Sequence, residues 1–477
     1  MEKIFTSESN LMQKFSDIKI SKNYKDIQNT NPCMTQKFTA DPAVMEYNGR
    51  LYVYSTNDEF MYDSNGKITN NTYSDIVTIN CMSSSDMVNW TDHGSIPVAG
   101  KNGAAKWAAC SWAPAAAHKT INGKEKFFLY FANSGNGVGV LSSDSPLGPW
   151  IDPLGHALVS RSVENCANIT WLFDPAVYVD DDGTGYLCFG GGVPEGRITD
   201  PGTARIAKLG NDMISISETP VTINAPYMFE DSGINKFGEI YYYTYCTNWS
   251  ERSDINAPGI ANIAYMTSKS PFSKYEYQGT FLKNPKDFFG CEGNNHHSLI
   301  EFKNKYYIFY HSQWLENEMG SDNKGYRCTH VDEVNIIDGK IMETEGTLKG
   351  VEQLVNVNPY EYNKASNMAW EAGVKVTGFG DTGVEMKKGN WIGISKVSFI
   401  DGTSSLKIKA SSREGAVMKV CLDEPSKDDG FYVIIPKTEN IDEYKEITID
   451  VQGVSGVHNL FFVADSNCTF EGWQFSK

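Results

Sequence analysis

A strand-turn-strand unit recurs five times in the first two thirds of the chain. Each copy runs through a short apolar strand to a Gly or Asn turn and then into an aromatic strand, as in DPAVMEYNGRLYVYSTN and DPAVYVDDDGTGYLCFGG. The copies begin at Asp41, Trp112, Asp174, Glu230 and His296 and lie about 64 residues apart on average. A four-stranded β-propeller blade with some additional loop has this length, so five copies predict five blades.

Other all-β proteins also contain strand-turn-strand patterns at some spacing, but this unit repeats its internal order as well as its period. The composition agrees with many short strands and tight turns, because 12% of the residues are aromatic and 42 are glycine. The fold class predicted for the chain is therefore all-β, with a five-bladed propeller over residues 1–350.

In a propeller the innermost strands line a central channel, so the residues that begin the five copies are expected to meet at one end of the axis. Three of the five, Asp41, Asp174 and Glu230, carry carboxylates. Mutually repelling carboxylates in one pocket are costly unless they are used, which predicts a catalytic site. Taken alone, an Asp before Pro is as often a cap or a turn residue.

Hydrolysis of a glycosidic bond requires one carboxylic acid that protonates the leaving oxygen and one carboxylate that activates water or attacks the sugar. Their surroundings must separate the two pKa values. A third carboxylate beside the acid keeps it protonated by like-charge repulsion. Three carboxylates in one ring meet this requirement.

Residues 33–350 resemble glycoside hydrolase family 43, whose members are five-bladed propellers that invert anomeric configuration. The motifs that carry the resemblance are ADPAV, WAP, FDPAV, FEDSGINK and NNHHS. The resemblance implies that Asp41 is the general base, Asp174 the carboxylate that orients the acid and modulates its pKa, and Glu230 the general acid. An inverting mechanism predicts carboxyl groups of the base and the acid about 6.5–9.5 Å apart.

The same resemblance implies substrate contacts and a metal ion. His296 corresponds to a histidine near the channel axis that often ligates calcium through a water shell, and Arg327 to an arginine beside the active site. Calcium prefers oxygen ligands, so a core or surface role without a metal remains open for His296. His297 beside it is expected to be a packing or hydrogen-bonding residue. Trp112 is expected to form a wall of the sugar subsite. Four further tryptophans are either cleft or inter-blade residues: Trp107, Trp171, Trp249 and Trp314.

The sequence pattern changes after Gly350, where the hairpin repeat ends. Residues 351–366 indicate a linker, and residues 367–477 alternate polar and apolar residues in short strands such as SLKIKAS and YVIIP, which predicts a β-sandwich (jelly-roll) domain. Four segments of this part, WEAG, NWIGISKVSF, ASSREGAVMKVCLDEP and HNLFFVADSNCTFEGWQFSK, resemble a family 6 carbohydrate-binding module. The resemblance implies a structural calcium with Glu371 and Glu471 as ligands. Thr469 stands where the sugar-binding asparagine is expected and Tyr444 where a tryptophan is usual, so a support role competes with sugar binding.

The formal net charge of −17 disfavours nucleic acid as a partner. The N-terminal segment MEKIFTSESNLMQKFSDIKI lacks an apolar core of signal-peptide length, and no segment has the apolar length of a membrane span, so the protein is expected in the cytoplasm without a membrane partner. The ten scattered cysteines indicate buried thiols. No organic cofactor is expected, and the oligomeric state is left open.

The function predicted from these features is an inverting, exo-acting α-L-arabinofuranosidase that acts on small arabinoxylan-derived oligosaccharides. A β-xylosidase, alone or with dual activity, is the nearest alternative, because both substrates present a similar pentose to the same carboxylates. A propeller that binds sugar without cleaving it is the alternative outside enzymes.

Overall fold

In the computed structural model, residues 8–427 and 429–477 are described. The helices are α1 (Glu8–Ser16), α2 (Pro285–Phe289) and α3 (Trp314–Glu318). The strands up to residue 350 are β1 (Ala40–Tyr47), β2 (Arg50–Thr56), β3 (Thr78–Ser84), β4 (Trp90–Pro97), β5 (Trp112–Ile121), β6 (Lys124–Ala132), β7 (Val138–Ser143), β8 (Ala176–Val179), β9 (Gly185–Phe189), β10 (Ala204–Lys208), β11 (Val221–Ile223), β12 (Met228–Phe237), β13 (Ile240–Thr247), β14 (Ile263–Ser268), β15 (Glu276–Leu282), β16 (His297–Phe302), β17 (Lys305–Ser312), β18 (Cys328–Val334), β19 (Ile336–Ile337) and β20 (Lys340–Ile341).

The remaining strands are β21 (Asn363–Lys364), β22 (Asn367–Met368), β23 (Trp370–Ala372), β24 (Lys375–Phe379), β25 (Asp381–Met386), β26 (Trp391–Ser398), β27 (Ser405–Ser411), β28 (Ala416–Leu422), β29 (Phe431–Ile435), β30 (Lys445–Asp450), β31 (Val457–Ala464) and β32 (Cys468–Ser476). The described chain is thus almost entirely β-structure, as the sequence predicts.

Five antiparallel sheets follow one another along the chain: β1–β4, β5–β7, β8–β11, β12–β15 and β16–β18. The first strand of each sheet contacts the first strand of the next, and β16 contacts β1, so the innermost strands close into a ring. This arrangement is the predicted five-bladed β-propeller. Each blade is built from a hairpin that matches one copy of the repeated sequence unit.

Two blades have fewer strands than the four expected from the repeat length. The second and fifth sheets have three strands each in the described structure. Beside the second sheet, isolated bridges join Val138 to Val159 and Ser142 to Ile151. The sequence SPLGPWIDPLG between these positions is rich in Pro and Gly, which interrupts the hydrogen-bond ladder of a regular strand.

Aromatic residues fill the spaces between the blades. Tyr243 and Tyr245 are fully buried and stack with their ring centroids 5.7 Å apart, and they pack in one apolar cluster with residues of β9, β10 and β14. Such rings bury a large apolar area per residue, which explains why the second strand of each repeat is aromatic.

The C-terminal strands form a β-sandwich. Its two sheets have the strand orders β24-β25-β32-β27-β30 and β23-β26-β31-β28-β29. Along β27 the buried residues Leu406, Ile408 and Ala410 alternate with partly exposed ones, as a strand with one face on a core requires. The core also contains Phe462 and Trp473. The resemblance of this sandwich to a family 6 carbohydrate-binding module stays a prediction.

The described chain divides into two compact units. One unit contains residues 37–81 and 95–350, and the other contains residues 8–36, 82–94, 351–427 and 429–477. Residues 8–36 therefore group with the C-terminal part, and the predicted domain boundaries stay predictions. The linker predicted at residues 351–366 stays a prediction.

Three composition-based predictions concern the whole chain. All ten cysteines are buried free thiols, as predicted. Within the described ranges, no helix is long and apolar enough to span a membrane. The prediction that the N-terminal segment is not a signal peptide falls partly on residues 1–7, which lie outside the described residues.

Candidate active site

The innermost strands begin with an unusual backbone conformation. Asp41, Ala113, Asp174 and Asp231 have φ values of 50°, 35°, 45° and 66°. Bulges interrupt the pairing at the starts of β1, β5 and β12. A bulge bends its strand and redirects a side chain, and aspartate tolerates positive φ better than most residues. The chain turns at the start of β1, so the carboxylate of Asp41 faces the mouth of the channel.

The site residues come from two neighbouring positions of the repeat. Asp41 and Asp174 occupy the position with positive φ, whereas Trp112 and Glu230 stand one residue before it in their copies. The sequence alignment that placed all five in one register is therefore off by one residue in two blades. In the fourth blade, the residue equivalent to Asp41 is Asp231 and not Glu230.

These two positions line one pocket of about 380 Å³, which is within the ~300–1,000 Å³ typical of small-molecule sites. The structure brings together all six site residues predicted in the propeller. The lining residues are Asp41, Tyr73, Trp112, Ala113, Ser134, Gly135, Trp171, Phe173, Asp174, Glu230, Asn294, His296 and Arg327.

The Asp41 carboxylate is buried beside a positive charge. Its Oδ1 accepts a hydrogen bond from Nη1 of Arg327 at 2.9 Å and lies 3.6 Å from Nδ1 of His296. Burial alone would raise the pKa of Asp41, but the Arg327 charge and the nearby histidines outweigh it and bring the pKa well below its usual range. Asp41 is therefore ionised at neutral pH.

His311 supports Asp41 through its backbone. Nδ1 of His311 accepts the backbone N–H of Asp41 at 3.0 Å, and Nε2 contacts the carbonyl oxygen of Asn294 at 3.0 Å. The same Nδ1 lies 3.2 Å from Oδ1 of the Asp41 carboxylate. Among the charged neighbours, Arg327 lowers the pKa of Asp41 the most, although burial opposes it.

The pKa values of Glu230 and Asp174 are shifted upward, in the direction opposite to that of Asp41. Burial raises the pKa of Glu230 well above its usual range, and the carboxyl groups of Asp174, Asp231 and Asp41 raise it further. Burial, followed by the charge of Asp41, also raises the pKa of Asp174. Oε1 of Glu230 is buried and has no hydrogen-bond partner among the described residues. The pocket thus holds one ionised carboxylate and a protonated Glu230, the combination that general acid-base catalysis requires.

A buried histidine-aspartate cluster lies next to these carboxyl groups. Nε2 of His296 is 3.2 Å from Oδ1 of Asp231, whose Oδ2 contacts Nδ1 of His297. Nε2 of His297 contacts Oγ1 of Thr244 at 2.8 Å, and burial lowers the pKa of His297 to about 3. His297 has the hydrogen-bonding role expected from the sequence. His296 lies among three carboxyl groups at the pocket wall.

Sequence reasoning missed four residues that complete the site. Asp231 could have been found, because EDSG aligns with ADPA once Glu230 is shifted by one position. Asp58 and Tyr73 belong to the connection between β2 and β3 and carry no repeat signal. Asp58 accepts two hydrogen bonds from the guanidinium of Arg327, and the Tyr73 ring lies 4.8 Å from its Cζ. His311 lies inside the aromatic strand β17, where its role has no local signature.

Aromatic rings form one side of the pocket. Nε1 of Trp112 donates to the carbonyl oxygen of Tyr73 at 2.8 Å, which fixes the indole at the rim. Trp171 is 37% exposed and contacts Phe173 edge-on at 5.4 Å. Both indoles can face the C–H surface of a sugar. The other three candidate tryptophans, Trp107, Trp249 and Trp314, are not among the residues described as lining this pocket.

The two glutamates predicted as calcium ligands already have protein partners. Glu371, on β23, is buried and accepts a hydrogen bond from Thr35. Glu471, on β32, accepts one from Tyr362 and lies 3.2 Å from Nζ of Lys409. Over residues 8–427 and 429–477, no three imidazole, thiol or carboxyl groups are placed to hold one metal ion. The residues do not fit a common site, and calcium, whether there or at His296, stays a prediction.

The sandwich has a cavity of its own, of about 340 Å³. Thr469 lines it, and none of the described lining residues is aromatic. Tyr444, the aromatic residue expected in a sugar cleft, lies beneath the ammonium of Lys409, which is 5.7 Å from the ring centroid. Sugar-binding clefts usually offer an open aromatic face, and both sugar binding and a support role stay predictions for this part of the chain.

Comparison with known proteins gives consistent matches over the same region. Residues 29–341 match the family of glycosyl hydrolases family 43. An arabinoxylan arabinofuranohydrolase of Bacillus subtilis (strain 168) is 44% identical over 95% of this chain and 93% of its own length. One of Paenibacillus polymyxa is 43% identical over 94% of this chain and 74% of its own length.

A solved structure resembles this chain over nearly its whole length. It is a glycoside hydrolase family 43 arabinoxylan arabinofuranohydrolase from Bacillus subtilis in complex with cellotetraose. The two structures superpose with a TM-score of 0.92 at 43% identity, over 95% of this chain and 99% of the other.

Proposed function

This chain belongs to glycoside hydrolase family 43, and on that premise we propose that it releases α-L-arabinofuranose from arabinoxylan-derived oligosaccharides with inversion of configuration. The observation that carries the proposal is one pocket in which Asp41 accepts a hydrogen bond from Arg327 and Glu230 is buried near other carboxyl groups, so that the pKa of Asp41 is lowered and that of Glu230 is raised. Two relatives at 43% and 44% identity that are named arabinoxylan arabinofuranohydrolases support arabinose as the sugar released.

Asp41 acts as the general base. Its carboxylate takes a proton from a water molecule as the water oxygen forms a bond to the anomeric carbon. At the same time Glu230 gives its proton to the glycosidic oxygen, whose bond to the anomeric carbon breaks. The products are arabinose of inverted configuration and a xylo-oligosaccharide with a free hydroxyl, and the two carboxyl groups have exchanged protonation states.

Asp174 prepares Glu230 for this step. Its Oδ2 accepts the backbone N–H of Asp231, the residue after the acid, at 3.0 Å. This hydrogen bond fixes the backbone on which Glu230 stands, while the nearby carboxyl group of Asp174 raises the pKa of the acid. Asp174 thus both positions the acid and keeps it protonated.

A single assay tests the sugar released and the stereochemistry together. Purified protein is mixed with arabinoxylan oligosaccharides in an NMR tube, and the anomeric proton signals are followed from the first minutes. We expect arabinose to appear first as its β-anomer. Xylose as the main product would assign the protein to β-xylosidases, initial α-arabinose would contradict inversion, and no release of either sugar would favour a propeller that binds sugar without cleaving it.

The pH dependence of kcat/KM is expected to be a broad bell. Activity is lost at low pH as Asp41 becomes protonated and at high pH as Glu230 loses its proton. The pKa of Asp41 is lowered and that of Glu230 is raised, so both limbs move outward from the ordinary carboxyl values of about 3.9 and 4.3. Initial rates on arabinoxylan oligosaccharides between pH 3 and 10 measure both limbs.

The Glu230→Gln variant identifies the basic limb. On an aryl arabinofuranoside, which needs little protonation of its leaving group, the variant should retain measurable activity but no longer lose it as the pH rises. A basic limb that persists unchanged in this variant would assign it to another group.

A further inference from the structure

The guanidinium of Arg327 is shared unequally between two buried carboxylates. Nε and Nη2 donate to Oδ2 and Oδ1 of Asp58 at 2.8 and 2.9 Å, and the backbone N–H of Arg327 donates to Asp58 at 3.1 Å. Nη1 donates to Oδ1 of Asp41 at 2.9 Å. Asp58 therefore occupies the Nε–Nη2 edge of the guanidinium, one of the two edges that can form a bidentate pair with a carboxylate, and Asp41 receives a single hydrogen bond.

Asp58 and Tyr73 approach Arg327 from the same connection between β2 and β3. That connection is also bonded to the segment before Arg327, because the backbone N–H of Asn71 donates to the carbonyl oxygen of Lys324 at 2.8 Å. Nδ2 of Asn71 donates to the carbonyl oxygen of Gly325 at 3.2 Å. The orientation of the guanidinium is thus fixed by residues that lie outside the repeated blade motifs.

We propose that Asp58 is a positioning residue for the general base: it holds Arg327 by its Nε–Nη2 edge, in the orientation that limits the arginine to Oδ1 of Asp41 and leaves Oδ2 of Asp41 free to accept the proton of water. The inference rests on the proposed function. It explains why a site with an excess of carboxyl groups contains one more buried aspartate, whose side chain is fully inaccessible to solvent.

The charged and titratable groups that face Asp41 come from several elements. Arg327 precedes β18, His311 lies in β17, His296 precedes β16, and the carboxyl groups of Asp174 and Glu230 are in the same pocket. Burial lowers the pKa of His296, so this imidazole is neutral at neutral pH. Among these groups, Arg327 therefore has the largest effect on the pKa of Asp41, so a change in its contact with Asp41 alters that pKa the most.

The test is Asp58→Asn, which keeps the side-chain shape but offers one acceptor where there were two. With its Nε–Nη2 edge held less firmly, the guanidinium then turns to form a bidentate pair with Asp41, the remaining anion. We expect kcat on arabinoxylan oligosaccharides to fall by about 100-fold with little change in KM, since the water loses its acceptor but the sugar contacts remain. The acidic limb of the pH profile should stay at or below its wild-type position.

Asp332→Asn is the matched control. Asp332 is a buried carboxylate of β18 that accepts hydrogen bonds from Tyr310 and Thr347 and does not line the pocket. Its replacement should lower thermal stability without the loss of kcat. If Asp58 only stabilised the fold, Arg327 would move away from Asp41 in the Asn variant, the pKa of Asp41 would rise, and the acidic limb would move to higher pH, which would overturn the proposal.

A crystal structure of the Asp58→Asn variant decides the matter without any activity measurement. A second hydrogen bond from Arg327 to Oδ2 of Asp41 supports the proposal, and retention of the single Oδ1 contact refutes it. Absence of hydrolysis by the wild-type protein would count against the proposed function alone, because the crystal structure reports the position of the guanidinium in either case.

Discussion

Replacing Glu230 by glutamine is expected to lower kcat/KM on arabinoxylan oligosaccharides by about 10³-fold, the middle of the range for general acid catalysis. Glutamine has nearly the same shape but no acidic proton, so the poor xylose leaving group departs without protonation. With 4-nitrophenyl α-L-arabinofuranoside the loss should be much smaller, because the nitrophenolate leaves without help. Steady-state kinetics on the two substrates measure the difference directly.

Glu46→Gln provides the control for this substitution. Glu46 lies near the other end of an innermost strand, β1, where its Oε1 accepts the backbone N–H of Gly49 at 2.6 Å. Its replacement makes the same chemical change far along the strand from the pocket and should leave both substrates unaffected. Equal losses on the two substrates in Glu230→Gln would contradict the role of Glu230 as the acid.

The two losses differ because Glu230 is adapted to hold a proton. Its carboxyl group is buried, one oxygen has no hydrogen-bond partner among the described residues, and three other carboxyl groups raise its pKa. An ionised carboxylate in this position would be costly. The neighbouring carboxyl groups, which would repel an ionised Glu230, therefore keep this residue protonated at neutral pH.

The fold and the meeting of three carboxyl residues in one pocket could be predicted because both follow a local pattern. The hairpin repeat predicted the five blades, and the motifs around Asp41, Asp174 and Glu230 predicted which carboxylates meet. The alternation along β27 predicted the sandwich. In each case the sequence signal lies within about ten consecutive residues, which is enough to recognise the alternation of a strand or the residues of a turn.

The remaining features depend on tertiary structure. Trp112 and Glu230 stand one residue before the positive-φ position of their blades, at bulged strand starts, and a bulge has no distinct sequence signal of its own. Asp58 and Tyr73 reach the site only because the connection between β2 and β3 folds back onto Arg327. The fourth strand of the second blade is replaced by single bridges, and the length of the repeat gave no indication of this.

Substitution of Asp41 by asparagine is expected to be the most damaging change in the site, with a loss in kcat of about 10⁴-fold, or about 5.5 kcal/mol of transition-state stabilisation. Water must be activated whatever the leaving group is. The loss should therefore be equally large on arabinoxylan oligosaccharides and on 4-nitrophenyl α-L-arabinofuranoside, in contrast to Glu230→Gln. Kinetics on both substrates, with KM measured separately, distinguish the base from the acid.

Asp180→Asn is the matched control for Asp41. Asp180 is also an ion-paired, largely buried aspartate, with Nζ of Lys236 at 3.0 Å, but it does not line the pocket. Arg327 retains Asp58 as a partner in the Asp41 variant, so the fold should tolerate the change, and circular dichroism can verify this. If the folded Asp41→Asn protein loses activity only on the oligosaccharide, Asp41 is not the base, because a group that activates water is needed equally for every leaving group.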